Sequence, residues 1–543
     1  MAAPDQTTTL YQLIRIVFRF CGGIFYSTTE VHGLENVPPA GEPAIVCFNH
    51  GNGLADPLVL IRKTPRMVRF CAKDSLWRTP VMKYFIRNSG AVPVYRAKDH
   101  GAEKSKDLNL EIFAKVIAAL RQGCCLGFAP EGVSRFLPYM EQPFKSGVAR
   151  IAIDAVEQAT KDGQGATFSV SLVPVGLCFT HREKFRSDLC MRYCAPIKVD
   201  QAFLKPYGGD VKAAAGAITA RLKGALEGAT INAPDWETTR LAMTAARLHH
   251  PTGTDQTLGQ YLVLLRGWVE VLKGTAAPED VAAAAGLAAG AAGVAPPDTR
   301  AVALRDALKA YQDLLDEKKI KCERVRRAAQ VGEALPWYWC AWGMGQRALA
   351  VCLLFAVALP GLAVWMPIWR YLKRQEAHLL SKGPRWNDSV AEMKMMSCGM
   401  LGIFYVIGAF CASVYLGSIK PWLPLPYLYI TMRCYEEAVA DARSCYSLYK
   451  LLFLTKATMA RMVALRAAAK SAMDPCIAML PTGVTHHLAL PADEAQPSSY
   501  SRVLEYYFPW WIARLLSLVM RRQKRDWNEV LRLNDASTMD YVR

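Results

Sequence analysis

What this chain lacks narrows its reading early. It holds sixteen cysteines, yet no two of them form a CxxC pair, and Cys47, Cys71, Cys178, Cys352 and Cys411 sit inside apolar runs. The pattern suits reduced, buried thiols facing a cytosol. Acidic residues are also short, with 47 Asp and Glu against 65 Lys and Arg, for a formal charge of +18. With 52% of residues hydrophobic, that surplus points to a surface of anionic lipid or to anionic substrates. Nucleic acid is not expected as a partner, because zinc-finger spacing, an RNP-like motif and a basic helix with heptads are all missing. No secretory signal is read at Met1 to Thr9, which is uncharged or acidic and leads into no long apolar core with a cleavage site. His181 and the pairs His249-His250 and His486-His487 have no partners at ligand spacing, so no metal is expected.

What is present divides the chain. At 543 residues it has room for roughly two to three domains. Leu10, Leu13, Ile14, Val17, Phe18 and Cys21 recur at helical spacing, the stripe of an amphipathic helix that lies in a membrane interface or packs on a domain core. From Ala44 to about Val199, short apolar runs (44–48, 68–72, 91–94, 124–128, 171–175, 189–193) alternate with helical stretches at 108–120 and 147–156. Strands alternating with helices predict an α/β domain with a mainly parallel sheet. Residues from about 205 to 330 read as a helical insertion, with an Ala/Gly/Pro-rich linker from Gly274 to Pro297 and one long amphipathic helix from Thr299 to Ala329.

Two uncharged runs follow, Ala348 to Trp369 (22 residues) and Met396 to Ile419 (24 residues). Each exceeds the roughly 20 residues that a bilayer core needs. Pro360-Gly361 and Pro367 allow the first to kink or re-enter. Trp422 to Thr431, and Tyr506 to Met520 with the basic Arg521 to Arg525, read as interfacial elements. The segment Arg370 to Lys394 between the runs is basic. Two full spans would put it opposite the amino-terminal domain, whereas the positive-inside tendency would keep it cytosolic.

Four short blocks stand in order in the first third of the chain: Asn49-His50-Gly51-Asn52-Gly53-Leu54-Ala55-Asp56-Pro57, Val92 to Ala97, Phe128 to Arg135, and Leu172 to Gly176. His50 and Asp56 suggest a base with its orienter, since a carboxylate on one ring nitrogen fixes the tautomer and leaves the other to take a proton. Residues six apart lie about 120° apart around a straight helix, so the pair needs a bent loop, which Gly51 and Gly53 would permit. Arg96, Arg135, Lys145, Arg182, Lys184 and Arg186 fall at loop positions after strands, where guanidinium groups converge on a phosphate or remain solvated surface charge.

These blocks resemble the four motifs of the glycerolipid acyltransferase superfamily. Five residues between His50 and Asp56 rather than four, the string Val92-Pro93-Val94-Tyr95-Arg96-Ala97, the form Glu131-Gly132-Val133-Ser134-Arg135, and Phe179 to Ser187 are similar to the eukaryotic, fungal-type glycerol-3-phosphate/dihydroxyacetone-phosphate sn-1 acyltransferases. The third motif departs from the family in Ala129, inserted between Phe128 and Pro130. The resemblance implies a membrane-bound enzyme that moves a fatty acyl group from acyl-CoA, as co-substrate and without a cofactor, to the acceptor's sn-1 hydroxyl. It assigns His50 as general base and Asp56 as its orienter. Arg96, Glu131, Gly132, Ser134 and Arg135 would bind the acceptor, with Lys145 and Arg186 as additions, and Pro174 would shape the acyl-CoA side. With the periodicity and hydropathy above, the chain divides into an amphipathic interfacial helix over 1–30, an acyltransferase catalytic domain over 31–204, a helical insertion over 205–335, transmembrane or re-entrant helices over 336–435 and a helical, interfacial basic region over 436–543, as expectations. The endoplasmic reticulum membrane with a cytosol-facing site is the expected location. Acylation of lysophosphatidate at sn-2, or a non-catalytic lipid-binding scaffold, are the alternative readings.

Overall fold

The computed structural model describes residues 9–73, 84, 90–94, 102–165, 167–182, 187–249, 257–276, 280, 298–331, 337–382 and 389–481. Arg96 and Arg186, most of the Ala/Gly-rich linker and the stretch from 482 to the end lie outside these residues. The chain divides into two compact units, Met1–Thr230 with Leu379–Gly399, and Ile231–His378 with Met400–Arg543.

The first unit is built on one sheet. Among the described residues its strands are β1 (Thr28–His32), β2 (Ala44–Phe48), β3 (Val68–Lys73), β4 (Val92–Val94), β5 (Cys125–Phe128), β6 (Val170–Phe179), β7 (Asp188–Tyr193) and β8 (Ile197–Val199). Their order is β1-β7-β6-β2-β5-β3-β4, with β8 also on β6. Five of the seven pairings among the described residues are parallel, and β6 pairs antiparallel with β7 and β8. The mainly parallel α/β expectation therefore holds. β1 and β8 carried too few apolar residues to be read as strands.

Strand β2 shows why the sheet has two covered faces. All five of its residues are buried, as in parallel strands packed on both sides. Val46 and Phe48 face α1 (Thr9–Phe25) and α2 (Ala55–Lys63), while Ile45 and Cys47 face α3 (Ala102–Arg121), α4 (Gly147–Lys161) and α6 (Val211–Ala229), with the short α5 (Gln201–Leu204) before it. The alternation is that of a pleated strand. The unit does not stop at residue 204, where a catalytic domain was expected to end: Ile218, Leu222 and Leu226 of α6 are buried in the same core as Ile45 and Cys47.

In α1 the buried stripe is Tyr11, Ile14, Cys21 and Phe25, whereas Leu13, Ile16 and Phe20 are exposed. The helix is thus apolar on two faces, one of them packed on the core.

The second unit contains α7 (Trp236–His249), α8 (Leu258–Lys273), α9 (Thr299–Lys318), α10 (Cys322–Val331), α11 (Trp337–Leu380, ending in the first unit), most of α12 (Val390–Leu416), α13 (Pro424–Leu452) and α14 (Lys456–Ile477). The single helix expected over Thr299 to Ala329 breaks at Lys319, which adopts a left-handed conformation with φ 57°. Its N–H bonds Asp316 O, and Ile320 N–H bonds Leu315 O, a helix stop that glycine usually marks. α11 runs as one helix through Pro360 and Pro367. It packs on α13 through Leu354, Ala358, Cys434 and Ala438, with Arg347 paired to Asp441 at 3.0 Å.

Cys340–Leu380 and Val390–Leu416 are long and apolar enough to cross a bilayer. The second starts six residues earlier than the uncharged run, because Glu392 and Lys394 lie within the helix. These first turns belong to the first unit: Ala391 and Met395 are buried in the core that contains Phe48, Ala55 and Leu58. The last residues of the basic segment, which two full spans would have put opposite the amino-terminal domain, are packed upon its core through Ala391.

Candidate active site

Strands β2, β5 and β6 run parallel where they pair, so the loops after β2 and β5 leave at the same edge of the sheet. Ligand sites of open α/β sheets form at such carboxyl ends. The loop after β2 carries His50. Its Nδ1 stands 3.0 Å from Asp56 Oδ2, in the first turn of α2. Asp56 is wholly buried and the His50 side chain is 23% exposed. The same Oδ2 accepts the Asn52 N–H at 2.9 Å. With Nδ1–H donated to Asp56, Nε2 is the basic nitrogen.

A set of side chains holds this loop through its backbone. Asn49, just past β2, donates to Leu177 O at 3.0 Å and accepts the Leu177 N–H at 2.7 Å, fastening the strand end to β6. Glu131 Oε1 accepts the His50 N–H at 2.5 Å, and its Oε2 accepts the Glu141 N–H at 2.8 Å. Ser134 Oγ accepts the Gly53 N–H at 3.0 Å. Arg135 N–H donates to His50 O at 3.3 Å. Burial raises the Glu131 carboxyl above the usual carboxylate range, while the two backbone N–H groups pull it down.

The residues expected to bind the acceptor thus separate. Glu131, 4% exposed, has each carboxylate oxygen on a backbone amide, and Ser134 braces Gly53. Both act on the histidine loop. Gly132 takes φ +72°, a conformation that disfavours a side chain, and lies under the Lys145 alkyl chain. The exposed cationic groups are Arg135, beside Glu141 at 3.5 Å, and Lys145. Pro174 is buried within β6 opposite Cys47, one pair before the end of β2. Its C=O accepts the Cys194 N–H, on the flank where β6 passes from β8 to β7, so the N–H that proline lacks is missing from the side away from β2.

Arg182 is offered by the sequence as one of the loop arginines that converge on a phosphate or remain solvated surface charge. Its guanidinium lies over the Phe136 ring, 5.4 Å from the centroid, donates to Arg135 O at 3.4 Å and covers Gly51, where a Cβ would come within 2.8 Å of Nη1. Asn52 Nδ2 donates to Arg182 O at 3.0 Å. Asn49 and Asn52 had no signal beyond their place in the first block. Tyr26, also missed, is a buried phenol facing the Asn52 amide near Asp56; burial above all, with the Asp56 charge added, raises its pKa. Among the described residues no group of His, Cys, Asp and Glu is arranged to hold a metal.

Residues 28–177 match the family model Acyltransferase. The chain is 25% identical to glycerol-3-phosphate O-acyltransferase 2 of Saccharomyces cerevisiae over 346 residues, covering 45% of each chain. It is 23% identical to glycerol-3-phosphate O-acyltransferase 1 of that yeast over 321 residues, 57% of this chain and 38% of the relative. An uncharacterized acyltransferase of Schizosaccharomyces pombe is 24% identical over 328 residues, with coverage of 45% and 48%. The chain therefore spans about half the length of these relatives or less. The structure of 1-acyl-sn-glycerophosphate (LPA) acyltransferase, PlsC, from Thermotoga maritima matches at 20% identity with a TM-score of 0.26, over 39% of this chain and 79% of that one. The stretch that resembles this family model, residues 28–177, runs from β1 into β6 and contains the His50 loop.

Proposed function

We propose that this protein transfers a fatty acyl group from acyl-CoA to the sn-1 hydroxyl of glycerol 3-phosphate, dihydroxyacetone phosphate, or both, at a membrane surface. The observation that carries the reading is the His50–Asp56 pair, 3.0 Å apart, on a braced loop beside the cationic Arg135, Lys145 and Arg182. The similarity to two yeast glycerol-3-phosphate O-acyltransferases supports this acceptor class.

The chemistry follows from the geometry. His50 Nε2 takes the proton of the acceptor hydroxyl as its oxygen attacks the thioester carbonyl. The C–S bond breaks, the acyl group passes to the oxygen, and the CoA thiolate recovers the proton from the imidazolium. Asp56 holds the ring and offsets its transient positive charge. The thioester is already activated, so alignment of hydroxyl and carbonyl supplies much of the rate. Arg135, Lys145 and Arg182, with Arg96 and Arg186, are the groups we assign to the acceptor phosphate. The exposed apolar side chains of α11 and α12, among them Leu349, Leu353, Phe404 and Phe410, favour a membrane-embedded protein, and we place its site on the cytosolic side of the endoplasmic reticulum.

The test gives purified full-length protein in micelles labelled acyl-CoA with glycerol 3-phosphate, dihydroxyacetone phosphate or lysophosphatidate, beside His50→Ala. Transfer to either small acceptor, lost in His50→Ala, is expected. Transfer to lysophosphatidate alone would move the reading to sn-2 acylation, and no transfer, or transfer unchanged in the variant, would sink it.

A further inference from the structure

The histidine loop is held mainly through its own N–H groups. The His50 N–H goes to Glu131, the Asn52 N–H to Asp56 and the Gly53 N–H to Ser134. A fourth, that of Leu54, goes to Glu392 Oε2 at 3.3 Å, from a residue 338 positions away. Three of these acceptors lie in the motif blocks. The fourth stands on the first turn of α12.

Leu54 is the residue from which α2 starts, and its side chain caps nothing. Helices leave their first N–H groups without intrahelical partners, and the N–H of the residue that starts the helix is commonly taken by a Glu or Gln three residues on, in a capping box. A carboxylate placed there also meets the positive end of the helix dipole. Glu392 supplies both from outside the loop. Its placement is not that of a surface side chain caught in passing. Ala391 and Met395, on either side of it, are buried in the same core as Ala55, Leu58 and Val59, and a Cβ on Gly399 would lie 3.0 Å from Cys21 Sγ of α1. The first turns of α12 are therefore seated in the catalytic unit, and beyond them the helix exposes Phe404, Ile407, Phe410 and Val414.

We propose that Glu392 is a positioning residue for acyl transfer: by accepting the Leu54 N–H it fixes the entry to α2 and hence the Asp56 carboxylate that orients His50. A candidate membrane helix thus contributes a brace to the catalytic loop. The inference rests on the acyltransferase reading of the site.

The experiment compares wild type, Glu392→Gln, Glu392→Asp and Glu392→Ala as full-length protein in micelles. It measures kcat, KM for acceptor and acyl-CoA, and amide hydrogen exchange in peptides covering residues 50–58. Glu392→Ala, and Glu392→Asp with its shorter reach, are expected to lose about tenfold in kcat with both KM values within about twofold. Loop exchange should rise in both variants, while Glu392→Gln, which keeps an acceptor oxygen at the same reach, recovers most of kcat and of the protection. If Glu392→Ala does not fold, Glu392→Asp against Glu392→Gln carries the same comparison. Unchanged kcat and unchanged loop exchange in the Ala or Asp variant, with wild type active and His50→Ala inactive, overturn the role of Glu392 alone. A wild type without transfer overturns the function instead, and loop exchange still decides whether Glu392 holds the loop.

Discussion

Glu131 ties the loop of one motif to that of another: its Oε1 accepts the His50 N–H at 2.5 Å while Oε2 accepts the Glu141 N–H at 2.8 Å. A glutamine of the same shape cannot serve both amides, because its NH2 group would face one of them as a second donor. Glu131→Gln is expected to lower kcat about 10- to 100-fold by displacing the histidine backbone, with the acceptor KM nearly unchanged. Steady-state kinetics decide this. A rise in acceptor KM at constant kcat would instead return Glu131 to direct contact with the acceptor.

The same residue gives stability a pH dependence with a defined sign. Burial holds the Glu131 carboxyl above the ordinary value of 4.5, so the native protein binds that proton more tightly than the unfolded chain does. Between the unfolded and folded values the native state carries more protons. The stability contributed by this group therefore falls as pH rises through that window and stays at the lower level above it. Glu131→Gln removes this component. Unfolding midpoints of the full chain in micelles, stepped from about pH 4 to pH 7, should change less in the variant than in wild type, and an unaltered difference would contradict the assignment.

Asp56→Asn tests the tautomer. An amide NH2 in place of Oδ2 would donate to His50 Nδ1 and move the ring proton to Nε2, the nitrogen that must accept the substrate proton. A loss of about 10³-fold or more in kcat is expected, with little change in KM. His50→Ala combined with Asp56→Asn should be no worse than His50→Ala alone, since the pair acts as a unit. Additive losses in the double variant would show that Asp56 acts on something besides His50.

The sheet was legible where whole strands are apolar. Ala44 to Phe48 is buried along its full length, and periodicity finds such runs. It missed β1 and β8, Thr28–His32 and Ile197–Val199, because their place in the sheet is fixed by partners rather than by their own residues. The histidine and its carboxylate were legible because the chemistry needs those residue types. The braces were not: Glu392 accepts a backbone N–H of the histidine loop, Asn49 pairs with the backbone of Leu177 and Asn52 donates to the carbonyl of Arg182, contacts that no local pattern gives. Glu392 was further obscured by its own charge, since a search for uncharged runs starts the helix after it. The break at Lys319 had no glycine to announce it.

Gly51 and Gly53 were both expected to permit the bend, and of the two it is Gly53 that takes a positive φ, at 51°. Gly51 has another use. A Cβ there would lie 2.8 Å from Arg182 Nη1 and 3.0 Å from Cζ, so its bare backbone lets the guanidinium lie against the histidine loop. The obstruction is the end of a flexible side chain and the backbone conformation suits alanine, so Gly51→Ala should fold with a stability change within about 0.5 kcal/mol. It should push Arg182 aside. If Arg182 binds the acceptor phosphate, the acceptor KM rises about 5- to 20-fold, with the acyl-CoA KM and kcat changed by less than about threefold. Arg182→Ala should give the same signature, and combining the two should add little because both remove one interaction. An acceptor KM that stays at the wild-type value in Gly51→Ala and Arg182→Ala would leave the phosphate to Arg135, Lys145 and the arginines outside the described residues.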